Sequence, residues 1–377
     1  MLTRDQLMER ERSLRGTRTL SVYLTGSSVD PALRSAWRIE LKNELDARRE
    51  ELHAASHDER EAYDACVRRL WSHLDGVPGV IGSPGWVAFV TTDGVQYAES
   101  VSVALPTRVE WGDGIQFAPY VRVFKQSVPA VIAVVDARLA HIYRYRGDQL
   151  EKLETLRAHK HTEAPQHMGA SPRVGFHPGA RGTTGSEEAD RARLAGRDAM
   201  LRELATKLVA ESHPDGWILI GGIPTVVDAA FGALPEADQP RAHRLISLDV
   251  HSSKADIASA AELGATNASR ARDAAFVDEI LSLSGAYGKG LTGWTGTLEA
   301  LRQGAVNRLC FTDHFLREHP VEAEQAVALA LAEDAQVEHI SGDGAVRLDA
   351  EGAGVGVRLR FVPSREQSPL AVSTGMI

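Results

Sequence analysis

Between Ala130 and Leu156 three strand-like runs follow one another with only short turns between them. Ala130–Val135 (AVIAVV) is apolar throughout and reads as a buried strand. Asp136-Ala137-Arg138 turns the chain into Leu139–Tyr145, and Gly147-Asp148 turns it into Leu150–Leu156. Three sequential strands joined this way predict an antiparallel meander, so a sheet begins in the middle of the chain.

A helix follows, with Ser186 as its cap and Glu187, Glu188 and Asp190 in its first turn, where acids suit the positive end of the dipole. Leu194, Leu201, Leu204 and Leu208 mark its expected buried face. Trp217–Ile220 (WILI) reads as the next strand, Thr225–Leu234 as a helix and Leu245–Val250 as a strand. Meander, helix, strand, helix, strand resembles an RNase H-like layout.

On the N-terminal side, Thr19–Leu24 reads as a strand, and Asp30-Pro31 signals a helix start. Trp37, Leu41 and Leu45 recur on one helical face. A second helix runs from about Asp58 to Leu74, with Ala62, Cys66 and Leu70 in its stripe. Trp86–Thr91, Val95–Val101 and Tyr120–Phe124 read as strands, the first two joined by the hairpin signal Asp93-Gly94. On the C-terminal side, Lys254–Leu283 is helical and Gly285–Gly296 is a Gly-rich hinge. Thr297–Gln303 then reads as a helix, Val306–Thr312 as a strand, Val321–Asp334 as a helix, and Val337–Ile340 and Val355–Val362 as strands. The expected division is an α+β domain over 1–127, a central domain over 128–270 and an α/β sandwich over 271–377.

A chain of 377 residues with 43% hydrophobic and 25% charged side chains has ordinary globular composition. No run approaches the length of a membrane span, and the charged start MLTRDQLMERERSLRG lacks a signal-peptide core, so a cytoplasmic protein without a membrane partner is expected. Cys66 and Cys310 are the two cysteines and make no CxxC, which leaves neither a disulfide framework nor a structural zinc site. The net charge of −9 argues against a protein that coats nucleic acid by bulk charge, and no DNA partner is expected.

Against that acidic background, residues 157–185 form a basic island. RAHKHTEAPQHMGASPRVGFHPGARGTTG holds five glycines, three prolines and four histidines, with Arg157, Lys160, Arg173 and Arg181 against the single acid Glu163. A long segment of this kind inside an α/β domain is usually functional or disordered. Arginines pair phosphates and glycines let the backbone come close, so Arg173, Gly175, His177, Gly179, Arg181, Gly182 and Thr183 are the RNA-contact candidates.

The stretch GKGLTGWTGTLEALRQGAVNRLCFTDHF (288–315) resembles the start of the third domain of archaeal and eukaryotic class-1 peptide release factors and of Pelota. Thr297, Leu298, Ala300, Leu301, Gly304, Ala305, Val306 and Leu309 match the form T-L-x-A-L-x-x-G-A-V-x-x-L. Within that family the chain is most similar to the bacterial, Balon-like relatives. The resemblance implies three domains, with a central RNase H-like domain and a C-terminal sandwich resembling the kink-turn-binding ribosomal-protein fold. It implies a ribosomal RNA or tRNA surface as partner and a translational GTPase as a possible delivery partner. It places the basic segment at the tip that approaches the peptidyl-transferase region.

The chain departs from the family at that tip. Release factors carry Gly-Gly-Gln there; this chain has Gly179-Ala180-Arg181-Gly182-Thr183-Thr184, and no Gln falls between Gln166 and the end of the following helix. No stop-codon-reading motif of the NIKS type occurs in the N-terminal domain. The resemblance therefore implies docking in ribosome hibernation, rescue or stress, with no catalytic residue assigned. Two other readings stand beside it: a hydrolase of peptidyl-tRNA or another ester that uses a nonstandard loop, and a stress protein that binds only a protein partner.

The remaining chemistry-bearing residues have plainer readings. His159, His161, His167 and His177 lack a completing Cys or carboxylate, so no metal and no cofactor is expected. Asp136 and Asp249 invite a nuclease reading, but Asp136 reads better as a turn residue. Gly221-Gly222-Ile223-Pro224 reads as a close-packed strand-to-helix turn before it reads as an anion cradle. The helix over 34–49 mixes Arg34, Arg38, Lys42, Arg48 and Arg49 with Glu40 and Glu44, as a solvated face does.

Overall fold

A computed structural model describes residues 2–26, 36–76, 81–126, 128–147, 149–158, 185–246, 248–284 and 288–362. By their contacts the residues fall into two compact units, one formed by Met1–Ser127 with Ser269–Ile377 and the other by Val128–Ala268.

The chain opens with α1 (Arg4–Leu14), capped by Thr3, whose hydroxyl accepts from Gln6 N while the Gln6 side chain accepts from Thr3 N. Then come β1 (Arg18–Thr25), α2 (Ala36–Glu51), α3 (His57–Asp75), β2 (Gly85–Thr91), β3 (Gly94–Val101), β4 (Arg108–Asp113) and α4 (Val121–Gln126). The strands make an antiparallel sheet in the order β3-β2-β1-β4. Period-2 alternation divides β1 between two cores. Leu20, Val22 and Leu24 pack with Trp37, Leu41, Tyr63, Cys66 and Leu70 of α2 and α3, and Tyr23 faces the opposite side. The Asp93-Gly94 hairpin forms as expected.

One expectation fails here, and one strand was not foreseen. Tyr120–Phe124 is a 3₁₀ turn leading into α4, not a strand. Alternating Val121, Arg122 and Val123 mimic a strand, but Pro119 starts a helical turn that buries Tyr120, Val121 and Val123 together. The strand that completes the sheet is β4, whose mixed sequence RVEWGD hides a buried Glu110.

The second unit holds β5 (Ala130–Val135), β6 (Leu139–Arg146), β7 (Gln149–Arg157), α5 (Gly185–Glu211), β8 (Ile218–Gly222), α6 (Pro224–Ala233), β9 (Ala242–Leu245) and the first half of α7 (Lys254–Ser284). The sheet order is β7-β6-β5-β8-β9, with β5, β6 and β7 antiparallel and β8 and β9 parallel to β5. That is the RNase H-like topology expected from the sequence. Central β5 is buried on both faces: Val131, Ala133 and Val135 face α5 and α6, and Ile132 and Val134 face α7. Leu201, Leu204 and Leu208 of α5 are buried, whereas Leu194 is 50% exposed because the buried stripe starts only at Gly196. The strand expected at Leu245–Val250 ends at Leu245; Leu248 instead folds over Gly221.

Back in the first unit, α7 leads to β10 (Gly290–Thr292), α8 (Trp294–Arg302), β11 (Val306–Thr312), α9 (Asp313–Glu318), α10 (Pro320–Ala332), β12 (Gln336–Ile340), α11 (Asp343–Gly352) and β13 (Val355–Leu359). The sheet order is β10-β13-β11-β12, with β11 and β12 parallel and β13 antiparallel to both its neighbours. Part of the expected Gly-rich hinge is thus strand β10 and the first turn of α8. On one face Leu309, Phe311, Val355 and Val357 pack with Ala300, Ala326 and Val327, and that core is continuous with Tyr23, Phe89 and Tyr120 of the N-terminal sheet. On the other, Cys310 and Ile340 meet Phe276, Val277 and Ile280 of α7 and Leu348 of α11. No helix among the described residues is long and apolar enough to cross a membrane.

Candidate functional site

The sequence-derived RNA-contact residues Arg173, Gly175, His177, Gly179, Arg181, Gly182 and Thr183 lie outside the described residues, as do His159, His161 and His167. The structure does describe the two ends of their segment: β7 finishes at Arg157, on the edge of the central sheet, and α5 begins at Gly185.

The carboxylates that invited a nuclease reading each serve a turn. Asp136 Oδ1 accepts from the backbone N–H groups of Arg138 and Leu139, both at 2.6 Å, and so closes the β5–β6 turn. Asp249 accepts from His251 N at 2.6 Å in a turn of its own. Among the described residues no group of three or more His, Cys, Asp or Glu side chains is placed to hold a metal ion. Gly222 takes φ +135°, and a Cβ there would lie 1.9 Å from the Val135 carbonyl oxygen. The turn after β8 is thus glycine for close packing against β5.

A different site is built within the first unit. A cavity of about 260 Å³ lies among the C-terminal end of α2, the start of β4, α4, α9 and β12, lined by Glu44, Arg48, Thr107, Arg108, Arg122, Asp313, Leu316, Arg317 and His339 among others. Glu44 and Arg48 come from α2, Arg108 from β4, Arg122 from α4, Asp313 and Arg317 from α9, and His339 from β12. Arg48 Nη2 donates to Glu110 Oε2 at 3.0 Å and to Val109 O at 3.1 Å. Arg108 Nε pairs with the other oxygen of Glu110, and its Nη2 donates to Leu316 O at 2.9 Å. Arg122 Nη2 donates to Asp313 Oδ2 at 2.9 Å, and His339 Nε2 lies 2.8 Å from Asp313 Oδ1.

Burial by itself would raise the Asp313 carboxyl, but the His339 hydrogen bond and the charges of His339, Arg122 and Arg317 outweigh it and bring the pKa down to about 2. Burial raises the Glu44 carboxyl, with Arg108 and Arg48 opposing it. The site is therefore cation-rich, with its acids placed to fix the guanidinium groups.

The sequence did not single these residues out. Arg48 was expected on a solvated face and is instead 25% exposed and turned onto β4. Arg122 sits in the segment read as a strand, and Asp313, Arg317 and His339 come from elements that meet Arg48 only in the fold. Arg49 and Arg38 do behave as a surface face, pairing with Asp64 and Asp75.

No family profile matches the chain, and no curated protein sequence matches it. Solved structures do. An archaeal translation termination factor, aRF1, is 17% identical over 96% of this chain and 99% of its own, with a TM-score of 0.27. A ribosome-bound archaeal Pelota, described together with ABCE1, is 15% identical over 96% of this chain and 95% of its own, at 0.40. Dom34 of S. cerevisiae, a translation termination-like factor that interacts with Hbs1, is 11% identical over 74% of this chain and 81% of its own, at 0.44. The fold of the present chain rests on its own sheet orders.

Proposed function

We propose that this chain is a ribosome-associated factor of the release-factor and Pelota kind, within the bacterial, Balon-like group, that docks without the Gly-Gly-Gln chemistry. The observation that carries the reading is the form taken by the matched motif. Thr297, Ala300 and Leu301 are buried on α8, Gly304 turns the chain at φ +62°, and Ala305 followed by Val306 and Leu309 of β11 enter the core. The residue pattern thus serves one helix–turn–strand unit. Support also comes from the central sheet, where the basic segment joins β7 to α5.

On this reading Arg173, His177 and Arg181, with Gly175, Gly179, Gly182 and Thr183, meet ribosomal RNA or tRNA through phosphate pairing and close backbone approach. The setting is hibernation, rescue or stress in the cytoplasm, with a translational GTPase as the delivery partner. Co-sedimentation with bacterial ribosomes from growing and stressed cells at moderate salt tests it. Pelleting that weakens in Arg173→Ala and Arg181→Ala is expected; no pelleting with either ribosome population overturns the reading. A peptidyl-tRNA cleavage assay is expected to show no turnover, and turnover abolished by Arg181→Ala would sink the non-enzymatic form.

A further inference from the structure

Four guanidinium groups, those of Arg48, Arg108, Arg122 and Arg317, reach one cavity from α2, β4, α4 and α9. Their protein acceptors leave part of this donor set unused. Nε of Arg122 is buried and has no hydrogen-bond partner among the described residues. Arg317 is exposed and makes no hydrogen bond to any described residue.

We propose that this cavity binds a small phosphomonoester, its phosphoryl oxygens accepting from Arg122, Arg317 and Arg108. Cations arriving from separate elements surround an acceptor, which suits a tetrahedral anion with several oxygens better than a planar carboxylate that takes one guanidinium fork. The acids do not forbid an anion. Glu110 lies behind Arg48 and Arg108 with 10% exposure, and Asp313 is engaged by Arg122 and His339. Glu44, the remaining acid in the lining, has the charges of Arg108 and Arg48 beside it. The volume falls just below the roughly 300–1,000 Å³ of ligand pockets, which limits the ligand to a sugar-phosphate-sized molecule. Pro106, Pro119 and Leu316 give an apolar wall for its carbon skeleton.

Titration calorimetry on the full chain without ribosomes tests this independently of the translation reading. The probes are inorganic phosphate and ribose 5-phosphate, with ribose and sodium chloride at matched ionic strength as controls. Saturable binding of either phosphate is expected, weakened about tenfold or more by Arg317→Ala and lost in Arg122→Gln, since charge-assisted hydrogen bonds dominate such sites. Arg317 makes no hydrogen bond to any other described residue, so its variant keeps the test valid if Arg122→Gln unfolds. Binding of neither phosphate, binding equal to the chloride control, or binding unchanged in Arg317→Ala overturns the proposal.

Discussion

Lys125 and Asp273 form an ion pair almost wholly out of solvent, their side chains 7% and 2% exposed. The pair is fully furnished. Lys125 Nζ also donates to His339 O at 2.7 Å, and Asp273 Oδ2 accepts from both N and Oγ of Ser341 at 3.0 Å. It ties α4 to α7 and β12 in the first unit, next to the arginine-lined cavity. Lys125→Met leaves Asp273 charged and buried without its cation, so a loss of about 3–5 kcal/mol is expected. The urea midpoint checks it; a loss under about 1 kcal/mol would mean the charge is relieved by relaxation.

Glu324 of α10 accepts from the backbone N–H groups of Phe117 at 2.9 Å and Ala118 at 2.8 Å. Burial pushes its carboxyl up to about 8, with those two hydrogen bonds opposing it. A carboxyl raised in the native state binds a proton that the unfolded chain has already lost. Its contribution is therefore full below the unfolded pKa near 4.5 and falls away as pH rises towards 8. Between pH 5 and pH 8 this costs on the order of 3 kcal/mol, and Glu324→Gln should flatten that slope. Denaturant melts of both proteins at the two pH values decide it; identical slopes would place the titration elsewhere.

The glycines of the second unit give a graded series. Gly222→Ala sets a Cβ against the Val135 carbonyl at a φ that L residues avoid, and should cost roughly 2–4 kcal/mol. Gly221→Ala meets only side chains of Leu245 and Leu248, at 3.1 to 3.2 Å, and should cost less. Gly232→Ala, in α6 with nothing within 4 Å, should be neutral or stabilise by up to about 1 kcal/mol. Thermal midpoints in any other order would refute the packing role assigned to the turn after β8.

The central sheet was legible because its signals are local. AVIAVV has no polar face to turn outward, Asp136 closes its own turn with a side-chain acceptor, and WILI repeats the buried pattern in β8. Val306–Thr312 was legible for the same reason. Tyr120–Phe124 was not, because an alternating pattern of that length fits either a strand or a short helix, and burial of Tyr120, Val121 and Val123 in a shared core settles the choice. β4 was hidden because Glu110 looks like a surface acid until Arg48 and Arg108 close around it.

Periodicity, turn chemistry and the T-L-x-A-L-x-x-G-A-V pattern are written in neighbouring residues, so the sequence alone determined the meander, the RNase H-like order and the α8–β11 unit. It also marked 157–185 as a basic, glycine-rich segment between β7 and α5. The arginine-lined cavity was decided only by tertiary structure. Its charged groups lie at positions 44 to 48, 108, 122, 313 to 317 and 339, each unremarkable among its chain neighbours. Burying one apolar core across the N-terminal and C-terminal sheets is what brings those charges together, and no local pattern records that.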